Sequence, residues 1–473
     1  MTAPASPAIS RILLPVALGT VVAPLDTAVN IAFPAITSAF GLPVAAIQWV
    51  VISYVLTYGS LMLGVGRLGD IFGHGRVFRA GLAVSAAAFL ACALAPSFAW
   101  LLAGRVLQGI GAALVIGCGV ALATLPFPDA RRGRVLALYT TVFGAGAALG
   151  PMLGGVLVQE FGWQAVFWAR APVALAALLF MLRNAHVGNA HAAPRDGARE
   201  PFDLAGAALL AASIATLLLA INQLHHASAQ PWRPALLALG FGVSLALFLW
   251  RSATAPRPVI RLHHFRSMDF ALANLASVLV NLAGFAVLLL VPFWLSRVAG
   301  LAEGWAGLVL AVSPAGSMAA ALAGGRALAR VAPLRLSAIG AALTGAGLLL
   351  IGGWERETAV TMVAFALLLH GAGLGLFQLA ITDLVTGTMP REDRGVAGSL
   401  AQMTRTLGVV GAASLLALLH RVLEQEWMAL AVPKGDAFMR AFRVVFLITG
   451  LLALGAAALA ALRTGRCARG GLR

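Results

Sequence analysis

Charge is what this chain has least of. Asp, Glu, Lys and Arg make up 11% of its 473 residues, against about a quarter in a soluble globular protein. That shortage excludes a large soluble fold, whose surface would need far more polar side chains. The apolar runs are continuous rather than alternating, which excludes a transmembrane β-barrel. Cysteine is scarce too. Cys92, Cys118 and Cys467 form neither a metal spacing nor an evident disulfide set, and the first two read as small packing residues within apolar runs. His225–His226 and His263–His264 have no supporting carboxylate spacing, so no metal is expected. A Walker glycine loop is missing as well, which leaves an ion gradient as the energy source of any transport and no cofactor. Lysine occurs once, as Lys434, a bias that carries no functional weight.

What is present is apolar sequence. Hydrophobic residues reach 60% and the mean hydropathy is +0.92. The expected fold class is therefore an all-α polytopic membrane protein. Fourteen spans can be drawn, at about 11–33, 47–66, 78–95, 99–125, 134–158, 163–182, 204–222, 233–250, 268–294, 304–323, 334–351, 358–385, 395–420 and 443–462. Each is long enough to cross about 30 Å of hydrocarbon. The net charge of +16 reflects topology rather than nucleic acid, because the basic residues lie in short loops between spans. With the N-terminus in the cytoplasm, 23 basic residues fall inside, 7 outside and 3 (Arg105, Arg170 and Arg405) within spans. That bias puts both termini in the cytoplasm, and the expected location is a bacterial inner membrane. Trp49, Trp100, Trp163, Trp232, Trp294, Trp305, Trp354 and Trp427 then fall near outer span ends, where the ring suits the headgroup layer. Arg11 alone precedes the first run and no cleavage site follows, so that run reads as a retained helix.

The stretch Gly64–Arg79, GVGRLGDIFGHGR followed by VFR, is a glycine-broken charged turn between the second and third spans. Gly324–Arg335, GGRALARVAPLR, repeats its glycine, leucine and spaced arginines without an acid matching Asp70, eight spans later. Two six-helix bundles, 1–183 and 268–473, explain that offset. Two additional helices at 204–250 lie between them, joined by cytoplasmic linkers 184–203 and 251–267.

Asp26, in LDTAVNIAFP, lies well inside the first span. A carboxylate in hydrocarbon must face a cavity, pair or take a proton, and reversible protonation suits coupling to the movement of something else. Pro15, Pro24 and Pro34 predict bends around it, and Asn30 can share its face. Arg105 and Gln108 open the fourth span on one face, and Arg105 needs a carboxylate, a carbonyl or water. Arg170, near Trp168, can meet an anionic substrate or a protein acid, or stack on an aromatic ring. Gly146, Gly150 and Gly154 stand four apart in GAGAALGPMLGG, with Pro151 and Gly155, and allow close backbone approach. Asn274, Asn281, Gln378 and Arg405 are candidates for a substrate cavity, although such amides more often bond helix to helix. Asp203 and Asp269 stand at span starts as helix caps.

These runs together resemble a known family. GRLGDIFGHGR (Gly66–Arg76), LDTAVNIAFP, Arg105–Gln108–Gly109 with Gly111, and GAGAALGPMLGG are similar to the loop 2–3, helix 1, helix 4 and helix 5 signatures of the major facilitator superfamily. The group resembled is the fourteen-helix drug:proton antiporters, over essentially the whole chain. The resemblance implies alternating access, with one proton entering as substrate leaves. Asp26 and Arg105 would couple the proton, and Gly66, Asp70, Gly73 and Arg76 would latch the cytoplasmic side. The helix 5 glycines would pack helices as in exporters, and the protein would work as a monomer. One position departs from the family. Arg170, in WQAVFWAR, stands where asparagine is common, and with Arg405 it permits an anionic or neutral amphiphile.

Three functions compete. The first is proton-coupled efflux of a small amphipathic compound. The second is uptake or exchange of an anionic metabolite or lipid-like molecule on the same fold. The third is a membrane sensor or assembly protein that transports nothing. None is an enzyme.

Overall fold

A computed structural model describes residues 9–124, 129–183, 203–223, 230–255, 258, 267–328, 330–387 and 394–470. Among the described residues every regular element is helical. The first span is broken. Helix α1 (Ile9–Val21) gives way to a 3₁₀ turn at Pro24–Thr27, then to α2 (Ala28–Ile31) and α3 (Phe33–Ala39). The bend between Pro15–Ile31 and Phe33–Ala39 is 60°, as the three prolines predict, since each removes a helix hydrogen bond and crowds the preceding turn.

The chain then runs through α4 (Gln48–Phe72), α5 (His74–Ala93), α6 (Phe98–Thr124), α7 (Asp129–Phe161), the short α8 (Ala165–Trp168) and α9 (Arg170–Arg183). A hairpin of α10 (Leu204–Gln223) and α11 (Trp232–Thr254) follows. The last six helices are α12 (Met268–Arg297), α13 (Glu303–Ala327), α14 (Pro333–Gly352), α15 (Val360–Gly387), α16 (Arg394–Ala429) and α17 (Lys434–Gly470). Among the described residues eleven helices are long and apolar enough to cross a bilayer, or twelve with the bent first pair. Helices α4 and α10 occupy the second and seventh predicted intervals and fall outside that count.

Helices before residue 184 pack chiefly on one another, α5 against α6 and α9, and α4 against α6. Those after residue 267 do the same, α14 and α13 against α15, and α12 against α16. The two groups meet where α4 lies on α16 and where α7 lies on α13. The hairpin leans on both α4 and α16 through α10. Asp203 caps it as predicted. Its Oδ1 accepts the Gly206 amide at 3.0 Å and Arg251 Nε at 2.8 Å, which ties the start of α10 to the end of α11.

Tryptophan positions divide in two. Trp100, Trp232 and Trp305 are exposed at one end of the molecule. Trp294 and Trp354 lie at that same end yet are buried, with ring centroids 4.7 Å apart, and Trp354 stacks on Phe442. The expectation of a headgroup position is corrected for this pair, because their indoles fill the aromatic core of the second group, and for Trp163, which is buried against Phe40 and Phe167 in the first. The opposite end carries the Gly73 turn. Gly73 has φ +89°, a conformation that side chains avoid, and it joins α4 to α5 in a single residue.

Candidate functional site

The break in the first span exists where Pro24 enters and the chain tightens to 3₁₀ geometry, and Asp26 sits within it. Its carboxylate meets side chains from two other helices. Arg105 of α6 grips both oxygens, Nη1 to Oδ1 at 2.6 Å and Nη2 to Oδ2 at 2.9 Å. Arg170, the first residue of α9, gives a third bond, Nη1 to Oδ1 at 2.7 Å. Gln108, one turn beyond Arg105, donates Nε2 to Oδ1 at 2.7 Å and accepts Arg105 Nη1 at 2.8 Å.

The Nε of each guanidinium fastens it to the scaffold. Arg105 Nε donates to the Val50 carbonyl of α4 at 3.0 Å, and Arg170 Nε donates to Val166 at 2.8 Å. Aromatic faces complete the enclosure. Arg105 lies 4.3 Å from the Tyr54 ring centre, and Arg170 lies 4.6 Å from Phe89 and 5.1 Å from Phe167. Arg105 is 2% exposed and Arg170 4%, while the Asp26 side chain keeps 14%. Asp26 is therefore the least buried of the three side chains. With all three ionised, two cations share one anion.

The predicted glycine face lies directly behind this break. A Cβ at Gly146 would meet Pro24, one at Gly150 would meet Thr27, and one at Gly154 would come 2.8 Å from the Ala28 carbonyl. Thr27 Oγ1 donates across the contact to Ala147 at 3.0 Å. Gly155 turns the other way, against α13, where its nearest carbon is Gly307 Cα. Pro151 also lines that contact, its carbonyl lying against Gly307. One helix thus holds the broken span on one side and the second helix group on the other.

Residues 16–413 match the Major Facilitator Superfamily. The chain belongs to that superfamily. It is a transporter and not an enzyme. It is 32% identical over 401 residues to the tetracenomycin C resistance and export protein of Streptomyces glaucescens, covering 84% of this chain and 73% of that protein. It is 31% identical over 386 residues to the multidrug resistance protein Stp of Mycobacterium tuberculosis, covering 80% and 70%. In fold it is similar to a peptide transporter, POT, solved with sulfate, at a TM-score of 0.71 and 16% identity over 97% of this chain and 95% of that one.

The other predicted positions of this superfamily member fall in three places. Asn30 is buried one turn past Asp26 but takes no part in the cluster's hydrogen bonds. Asn281 and Gln378 meet each other, Gln378 Nε2 donating to Asn281 Oδ1 at 2.5 Å, and Asn281 also donates to the Ser277 carbonyl. This polar track continues to Thr404, which donates to Ser277 Oγ at 3.1 Å, while Thr406, two residues on, faces Tyr58 of the first helix group at 3.4 Å. Asn274 donates to Phe270 within its own helix. Arg405 is exposed between buried Thr404 and Thr406, away from the track. Arg76 is exposed beside the Gly73 turn, whereas the surroundings of Gly66 and of the Asp70 side chain lie outside what is described.

Sequence reasoning missed Tyr54, Phe89, Phe167 and Gly307. Tyrosine was the available signal. The chain has 3 tyrosines, and Tyr54 and Tyr58 stand one turn apart in α4.

Proposed function

We propose that this transporter is a proton-coupled exporter of small amphipathic compounds, in the fourteen-helix drug:proton antiporter group. It works by alternating access as a monomer in the bacterial cytoplasmic membrane, with both termini inside and no cofactor beyond the proton gradient. The observation that carries this reading is the Asp26 cluster. Ionised Asp26 pins the break in the first span to α6 and α9 through Arg105 and Arg170, and to α4 through Arg105 and Val50. A proton on Asp26 removes the charge that both guanidiniums share, and the broken span is then held less tightly. Because α7 packs on both that span and α13, a shift there passes to the seam between the helix groups.

The basic end is the cytoplasmic one by the arginine count, and the contacts at the tryptophan end favour a state loaded from the cytoplasm. Gln159 accepts the Gly304 amide at 3.0 Å, and Arg297 reaches Thr37 at 3.5 Å, each across the two groups at that end. Gly66, Asp70, Gly73 and Arg76 would latch the cytoplasmic side when it closes. The polar track through Asn281 and Gln378 lines the substrate path opposite Asp26. The names of the export and resistance relatives support the outward direction. The surplus positive charge of Arg170 gives the second reading, anion uptake, its foothold.

Flux in vesicles under an imposed proton gradient decides between them, with Asp26→Asn measured beside the unmodified protein. Export driven by inward proton movement, lost in Asp26→Asn at equal folded protein, is the expected result. Undiminished coupled flux in the variant would remove Asp26 from the mechanism.

A further inference from the structure

Arg170 is surplus to the neutralisation of Asp26. Arg105 already places one nitrogen on each carboxylate oxygen, the geometry in which a guanidinium matches a carboxylate. Arg170 adds a second cation on Oδ1, and its Nη2 is buried with no hydrogen-bond partner. The neighbouring ionisable groups do not offset that charge. Tyr54 from α4 and Cys92 from α5 are both buried and neutral, and among the described residues no carboxylate other than Asp26 pairs with either guanidinium. The rings of Phe89 and Phe167 soften the burial of Arg170 without supplying a counter-charge.

The cluster therefore holds one positive charge in excess, in an apolar interior that screens poorly. An anionic group arriving beside the cluster brings the sum to zero. A cationic group brings it to two. We propose that Arg170 sets the charge class of the substrate, so that amphiphiles carrying an anionic group are accepted and lipophilic cations of the same size are refused. This rests on the reading that the substrate lies against the Asp26 cluster.

Tetraphenylborate and tetraphenylphosphonium, alike in size and opposite in charge, are the probes. Their binding to the full chain in neutral-lipid nanodiscs is measured by equilibrium dialysis, with empty nanodiscs subtracted. The unmodified protein is expected to bind the anion at least about tenfold more tightly than the cation. Arg170→Lys should keep that preference, and Arg170→Gln should lose it while melting as a single folded species. Should Arg170→Gln fail to fold, Asp26→Asn takes its place, and there the anion preference should widen. Equal affinities or a cation preference in the unmodified protein would overturn the proposal, as would an unaltered preference in folded Arg170→Gln or in Asp26→Asn. No gradient enters the measurement. A failure of proton coupling would appear only in the vesicle flux, and a failure of charge selection only here.

Discussion

Arg105 and Arg170 bind the same carboxylate with different geometry, and that difference is testable one residue at a time. Arg105 uses its planar fork on Asp26, plus Nε on Val50, and lysine can supply the charge but not the fork. Arg105→Lys is expected to lower export flux by at least about tenfold at equal folded protein, since an under-satisfied buried carboxylate is destabilised by several kcal/mol. Gln108→Ala removes one donor from the same oxygen. Its effect on thermal unfolding should correspond to about 1 kcal/mol, the scale of a single interhelical hydrogen bond in a membrane. The charged members of the site were legible in sequence because an ionised side chain in an apolar run demands a partner. Which partner Arg170 takes was not, since that depends on how α9 turns against the first span. The aromatic rings were invisible for the opposite reason. Phe89 and Phe167 are ordinary filling in any apolar run, and only the fold places them over a guanidinium.

At the scale of elements, α7 is the helix whose packing bears most directly on the site. Its glycines were legible as a packing face from their spacing alone, but their two separate partners, the broken span and α13, were not. Gly154→Ala would press a methyl into Ala28, and Gly155→Ala would press one onto Gly307 and the Glu303 backbone. Neither neighbour is a flexible side chain, so the helices must part. Both variants are expected to lose most export flux while reaching the membrane in normal amounts. Gly242, in α11, is the control, because a Cβ there meets nothing. Gly242→Ala should leave flux unchanged and raise stability by at most about 1 kcal/mol. The hairpin depends on its cap. Asp203→Ala removes the bond to the Gly206 amide and the pairing with Arg251. A loss of about 1 kcal/mol or more in unfolding free energy is the expected result.

For the whole molecule, the two helix groups are joined at the tryptophan end through Gln159 and Gly304. If alternating access opens that end, a reversible cross-link between Gln159→Cys and Gly304→Cys should stop transport, and reduction should restore it. Unimpaired transport in the cross-linked protein would mean that this end does not open. The echo between Gly64–Arg79 and Gly324–Arg335 is what suggests two six-helix bundles in the sequence, whereas the contacts joining the two helix groups follow from helix faces that no loop motif records. The surplus charge of Arg170 has a last consequence at this scale, in the electrical work of a transport cycle. On the proposed exchange, one anion leaving against one proton entering would carry two positive charge equivalents inward, so export of an anionic substrate would be electrogenic. With the cell interior negative, each charge gains about 2.3 kcal/mol per 100 mV. Membrane voltage alone, with no pH difference, would then drive the exporter.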